Sequence, residues 1–160
     1  MSVNIHATCI RLDGAAKPFA APRSAGVLLL GRSGAGKSDL ALRLIAMGAK
    51  LVSDDRTDLF LQASHLFARA PANIKGLIEI RGLGIVALPD AAKARVALAV
   101  TLERPKTRLP RREFYQPPGR LPVRIPLLRL PPFEASTPEK IVLAVAAFER
   151  GLFRESAHLI

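Results

Sequence analysis

Gly31-Arg32-Ser33-Gly34-Ala35-Gly36-Lys37-Ser38 reads G-x-x-x-x-G-K-S, and the rest of the chain is organised around it. These residue types, in this order, suit a phosphate-binding loop. Glycines let the backbone turn tightly and bring its N–H groups against phosphate oxygens. Lys37 offers a positive charge to β- and γ-phosphates, and the Ser38 hydroxyl is a ligand for Mg2+. The flanks agree with the motif. Residues 25–30, Ala-Gly-Val-Leu-Leu-Leu, are a short apolar run of the kind that forms a buried strand. Asp39 to Met47 is rich in helix formers, and Gly48 suits the position just past a helix end. Strand, Gly-rich turn and helix together predict a nucleotide phosphate site, with the helix N-terminus adding partial positive charge. The plain alternative is a strand-to-helix turn that binds nothing. It requires a chance match on the order of one in a few hundred for a chain of this size.

The 160 residues suit one domain, 1–160, with a sizeable core. Aromatic residues make up only 5% and tryptophan is absent, so that core must be mostly aliphatic. Cys9 is the only cysteine, which excludes an intramolecular disulfide and fits a reducing compartment. No basic segment followed by an apolar stretch opens the chain, and no apolar run approaches the ~20 residues of a membrane helix. A soluble cytoplasmic protein without membrane contact is the expectation. The formal charge of +11 favours anionic partners: a nucleotide, nucleic acid or an acidic protein face. Arg104, Lys106, Arg108, Arg111, Arg112, Arg120, Arg124 and Arg129 crowd one Pro-rich stretch. A solvated surface and a binding surface both fit it.

Val3 to Arg11 alternates loosely and is rich in β-branched residues, so it predicts a strand containing His6. Residues 12–24 hold Gly14, Pro18 and Pro22 and predict a loop. Lys50 to Ser53 predicts a short strand ending at Asp54-Asp55. A strand ending in Asp after a phosphate loop and its helix is where a nucleotide enzyme keeps a metal-ordering or base carboxylate, although Asp is also common in turns. Thr57 to Leu61 and His65 to Ala70 predict a hairpin. Gly76 to Val86 predicts a further strand in which Glu79 and Arg81 share a face, with Gly82 and Gly84 marking close backbone approach. Ala94 to Leu102 predicts an apolar strand, Tyr115 to Gly119 an exposed loop, and Val123 to Leu128 an edge strand because Pro126 lacks a donor. Ser136-Thr137-Pro138-Glu139 predicts a helix start with Thr137 as N-cap, or a Ser136–Glu139 capping box, and the helix ends near Gly151.

Three blocks of this sequence resemble one family, the bacterial HPr kinase/phosphorylase. They are Gly31 to Leu42, Leu51-Val52-Ser53-Asp54-Asp55, and Ile78-Glu79-Ile80-Arg81-Gly82-Leu83-Gly84-Ile85. The third is the discriminating one, because a phosphate loop alone fits many families. The resemblance implies an α/β fold: a single P-loop domain with a central mixed β-sheet and a nucleotide-binding core like that of phosphoenolpyruvate carboxykinase. It implies an ATP-dependent protein serine kinase acting on a serine of the phosphocarrier protein HPr. By resemblance, Asp55 is the general base and His6 the histidine that tunes it. Residues 31–38 and Lys37 hold ATP, Ser38 and Glu79 hold Mg2+, and Arg108 corresponds to a catalytic arginine, with Arg104 and Arg111 as the other candidates. It also implies a homo-oligomer, a hexamer in the family.

The departures shape these expectations. Longer members carry an N-terminal domain, so the chain is similar to the short, catalytic-domain form. Leu130-Pro131-Pro132-Phe133-Glu134-Ala135 stands where the family carries P-V-R-P-G-R, a segment tied to dephosphorylation. The expectation of kinase activity is therefore stronger than that of phosphorolysis. Two other readings compete: a P-loop kinase of a small molecule, and a nucleic-acid-binding module using the Arg-rich stretch. Phe114 and Tyr115 are the only aromatics between Thr101 and Leu130, too few to support base stacking along a strand.

Overall fold

The computed structural model of the protein describes residues 1–13 and 24–154. The loop expected over 12–24 falls almost wholly outside them, as does His158.

Among the described residues, ten strands and two α-helices follow in the order β1 (Ser2–Leu12), β2 (Ala25–Leu30), α1 (Lys37–Ala46), β3 (Lys50–Ser53), β4 (Arg56–Gln62), β5 (His65–Arg69), β6 (Leu77–Ile80), β7 (Gly84–Ala87), β8 (Ala94–Leu102), β9 (Glu113–Tyr115), β10 (Ile125–Leu130) and α2 (Thr137–Arg150). Eight strands form one mixed sheet. β2 lies between β1, antiparallel, and β8, parallel. β10 runs parallel to β8 on its far side and β9 closes that edge. The other end of the sheet curls round on itself. β4 pairs the N-terminal half of β1, β5 pairs β4, and Phe67 and Ala68 of β5 return to Arg95 and Ala94 of β8. The sheet is thus an open, six-strand-wide surface at one end and a closed ring of five strands at the other.

Both faces are buried. α1 presents Lys37, Leu40, Ala41 and Leu44 to the sheet, the spacing of one helical face. They meet Ile10, Leu12, Val27, Leu29, Leu98 and Val100 of the sheet and Ile141 and Val145 of α2. The opposite face encloses Ile5, Ala7, Cys9, Leu28, Leu59, Leu66, Val96 and Ala99 inside the curled end. Alternation along β1 and β2 sends neighbouring side chains to different cores, so both strands read as near-continuous apolar runs. Helix α2 ends at Gly151, whose φ of 63° is the left-handed C-terminal turn that glycine adopts freely.

Four expectations need correction. Gly76 to Val86 is a two-stranded hairpin, β6–β7, standing as its own small sheet. Gly82 and Gly84 take φ of 87° and 114° and have open space where a Cβ would lie, so they make the turn rather than admit a close neighbour. Arg81 therefore sits in the turn and does not share a strand face with Glu79. Strand β10 is flanked on both sides; Pro126 is tolerated because pairing with β8 begins only at Leu127. Thr137 does not cap α2. Ser136 occupies the cap without a side-chain bond, and the Thr137 hydroxyl donates to the Pro131 carbonyl at 2.6 Å. Tyr115 ends β9 half-buried, and Pro117 is buried rather than in an exposed loop.

Candidate active site

The parallel strands β2, β8 and β10 all deliver their C-terminal ends to one edge, which is where open α/β sheets bind ligands. The Gly31–Gly36 loop leaves β2 at that edge and enters α1. Gly36 is the N-cap of α1 with φ of 101° and offers no side-chain cap. The N–H groups of the first helical turn are therefore left for an outside acceptor. Lys37 is only 5% exposed, and its Nζ donates to the carbonyls of Gly31 at 2.8 Å and Arg32 at 2.9 Å. Burial pulls its pKa below the usual lysine value, while the charges of Asp55 and Asp54 oppose that shift. A buried ammonium beside an uncapped helix N-terminus suits an anion.

The carboxylates arise from a break in pairing along β1. Cys9 faces Ser53 of β3 and His6 faces Arg56 of β4 in one continuous register, so Asp54 and Asp55 interrupt what is otherwise a single strand. Arg56 N–H bonds the Asp54 carbonyl at 2.7 Å across Asp55, whose φ is 65°. That is a γ-turn with a positive φ at its centre, a rare and strained conformation. Asp tolerates it better than most residues. Thr8 fixes the turn: its hydroxyl accepts the Asp55 N–H at 3.0 Å and donates to Asp54 Oδ1 at 3.1 Å. His6 and Thr8 are two apart on β1 and project from the same face. His6 Nε2 consequently reaches Asp55 Oδ1 at 2.8 Å. The Asp55 side chain remains 63% exposed, open to an incoming molecule.

Asp54 is the opposite case: 7% exposed and hydrogen-bonded through both oxygens. Its Oδ1 accepts from the Ser38 hydroxyl at 2.7 Å as well as from Thr8, and its Oδ2 accepts the Glu79 N–H at 3.0 Å. One buried carboxylate thereby ties the phosphate-loop helix, strand β1 and the β6–β7 hairpin together. The hairpin in turn sets Arg81 over the loop, its Nη2 lying 3.4 Å from where a Cβ on Gly34 would stand. Strap residues 131–135, after β10, bring Phe133 against Gly36.

The structure thus brings His6, Lys37, Ser38 and Asp55 together. Of the expected metal pair, Ser38 is present, whereas Glu79 enters through its backbone N–H and its side chain is exposed. Arg108 stands exposed in the loop after β8, with no hydrogen bond or ion pair to Lys37, Ser38 or Asp55. Arg81 is the arginine against the loop. The sequence offers no signal for Thr8; the Asp54-Asp55 pair signals one carboxylate for metal or base, and its division into one buried and one exposed side chain needs the γ-turn.

The profile of the HPr serine kinase C-terminal domain matches residues 23–113, more than half of the chain. The chain belongs to that family. It is 48% identical over 62 residues to the HPr kinase/phosphorylase of Lactiplantibacillus plantarum, covering 38% of this chain and 20% of that protein. It is 42% identical over 106 residues to the HPr kinase/phosphorylase of Aromatoleum aromaticum, covering 61% of this chain and 32% of that protein. The chain thus spans 20% to 32% of the length of these relatives. In three dimensions it is similar to the Hpr(Ser) kinase/phosphatase from Coxiella burnetii, with a TM-score of 0.75 at 26% identity, covering 94% of this chain and 98% of that one. The mixed α/β fold expected from the sequence is therefore that of an HPr serine kinase C-terminal domain. No helix among the described residues is long and apolar enough to cross a membrane.

Proposed function

We propose that this chain transfers the γ-phosphoryl group of ATP to a serine hydroxyl of the phosphocarrier protein HPr. The observation that carries this reading is the His6–Asp55 pair on a strained turn beside Lys37, Ser38 and Asp54. An exposed carboxylate held at one orientation suits proton removal from a hydroxyl delivered by another protein. His6 fixes that orientation through its 2.8 Å bond. As the serine oxygen attacks phosphorus and the bond to ADP breaks, Asp55 takes the serine proton. Lys37 and the N–H groups of the loop hold the phosphate charge, and Arg81 lies where it can share the charge that develops. In the reverse direction, Asp55 returns the proton to the serine oxygen while inorganic phosphate attacks phosphoserine.

The oxygen donors suit Mg2+. Among the described residues no three His, Cys, Asp or Glu side chains gather as a metal cage. One carboxylate and one hydroxyl do meet, Asp54 and Ser38. Mg2+ is typically held by one or two carboxylates together with substrate phosphates and water. Ser38 and Asp54 would hold it, and Glu79 meets this pair through its backbone N–H at 3.0 Å from Asp54 Oδ2. When bound, the ion neutralises charge on the β- and γ-phosphates. The Arg-rich stretch supports a nucleic-acid reading poorly. Arg129 pairs with Glu103 and Glu113, Arg112 stacks on Phe153 and Arg124 on Phe114.

The test is transfer of labelled γ-phosphate from Mg–ATP to purified HPr. Asp55→Asn should keep nucleotide affinity and lose transfer by about two orders of magnitude or more. Adding phosphate to the product and measuring pyrophosphate reads the reverse direction. Label on HPr at a near wild-type rate in the variant removes Asp55 as the base. No label with the native chain removes HPr as the acceptor.

A further inference from the structure

The strap 131–135 is fastened at three points. Arg43 of α1, itself held by Asp39 at 3.1 Å, donates Nη1 to the Glu134 carbonyl at 3.2 Å and Nη2 to the Pro132 carbonyl. The Thr137 hydroxyl holds the Pro131 carbonyl, and Lys140 pairs with Glu134 at 3.2 Å. Between these fastenings stands Phe133, 68% exposed. A single exposed aromatic ring is ordinary. One pinned on both sides and seated on the phosphate loop is not. A Cβ on Gly36 would lie 2.8 Å from Cζ and 2.9 Å from Cε1 of Phe133, and 3.2 Å from Pro132 Cβ. The ring touches the loop through its tip, and most of the remainder faces solvent.

Sheet order gives this ring a direction. β1, which carries His6, and β3, which leads into the Asp55 turn, lie on one side of β2; β8 and β10 lie on the other. A polyphosphate whose terminal group reaches Asp55 must extend its opposite end toward β8 and β10. The strap leaves β10, two strand spacings or about 10 Å from β2. We propose that Phe133, backed by Pro132, is the stacking platform for the purine base of the nucleotide. This rests on the phosphate-loop reading and adds the site that tells a nucleoside triphosphate from bare polyphosphate. Stacking on one ring face is indifferent to base edges, so ATP and GTP share it. Because Arg43 already holds the strap, little ordering remains to be done on binding.

The experiment compares Mg–ATP with Mg–tripolyphosphate by calorimetry on the full chain. Phe133→Ala should weaken ATP about tenfold, the size of one base–aromatic stack. Tripolyphosphate affinity should stay within about twofold, and Phe133→Tyr should restore ATP binding. Phe133→Trp introduces the chain's only tryptophan. Its fluorescence should be quenched by ATP and not by tripolyphosphate. Unchanged ATP affinity in Phe133→Ala overturns the platform, as does equal weakening of both ligands, which would make the strap only a support for the loop. If wild-type protein binds neither ligand, the phosphate loop itself fails. Tripolyphosphate bound as tightly as ATP leaves the loop standing and the platform refuted.

Discussion

Asp54→Ala removes the acceptor at which three donors from three elements meet. The Ser38 hydroxyl reaches solvent and can recover a partner. The Thr8 hydroxyl is fully buried, and the Glu79 N–H is half-buried. A buried donor left without its acceptor costs about 1–3 kcal/mol, so the two together destabilise by about 2–5 kcal/mol. At roughly 2–4 °C per kcal/mol for a domain of this size, the melting temperature should fall by about 4–20 °C. Asp54→Asn is the discriminating partner. Its Oδ1 can accept from Glu79 N–H while its Nδ2 donates to the two hydroxyl oxygens, since hydroxyls accept as readily as they donate. The buried Thr8 hydroxyl hydrogen still loses its acceptor, so Asp54→Asn should cost about 1–3 kcal/mol, less than Asp54→Ala by the retained Glu79 bond. Thermal unfolding followed by far-ultraviolet circular dichroism measures both variants. A melting temperature for Asp54→Ala within about 2 °C of wild type would refute the argument that this carboxylate fastens the loop helix to the hairpin. Equal losses in Asn and Ala would refute the hydrogen-bond accounting. Both variants should lose phosphoryl transfer, because neither offers Ser38 an anionic neighbour.

Arg81→Ala should lower the transfer rate roughly 10- to 100-fold with nucleotide affinity nearly unchanged, as expected of a group used where charge develops; an unchanged rate would leave Arg81 as surface. Gly36→Ala places a side chain at φ 101° and against Phe133. The backbone term alone should cost about 1–3 kcal/mol, read as a lower melting temperature, and Phe133→Ala in the same chain should recover the contact portion only. Cys9 is fully buried, and burial pushes its thiol up to about 12. Iodoacetamide at pH 8 should leave the native chain unmodified and label it once unfolded. Because the folded pKa is raised, the folded state keeps its full stability below the ordinary thiol value near 9 and loses it as pH rises toward 12, by up to about 1.4 kcal/mol per pH unit. Urea midpoints across that range, compared with Cys9→Ala, measure the loss.

Local signals were legible wherever a residue's conformation is decided by its neighbours in sequence. β2, β3 and β8 begin and end where apolar runs begin and end, and Gly48 and Gly151 stop helices because a positive φ is cheap there. The β6–β7 hairpin reads as one strand in the sequence because glycines suit a bulge, a close approach and a turn equally, and only the pairing partner decides. Thr137 differs from its local pattern for a similar reason. A hydroxyl beside a helix start has a local cap available, but the Pro131 carbonyl, brought back by the strap, takes its hydrogen.

By itself, the sequence determined the phosphate loop, its strand and helix, and the pair of aspartates that follows. These are short-range patterns whose chemistry is fixed by residue type and spacing. His6 entered only through resemblance, since nothing local links it to a carboxylate 49 positions away. Tertiary structure alone decided the division of labour. One β-register along β1 placed His6 and Thr8 beneath the aspartate turn, burying Asp54 as a fastening and leaving the Asp55 carboxylate exposed against His6. A strap 97 positions beyond Gly36 laid Phe133 on the loop, and a hairpin put Arg81 there in place of Arg108. Such contacts depend on which strands pair and how the sheet curls, and pairing between distant segments leaves no periodic trace in the residues that make it.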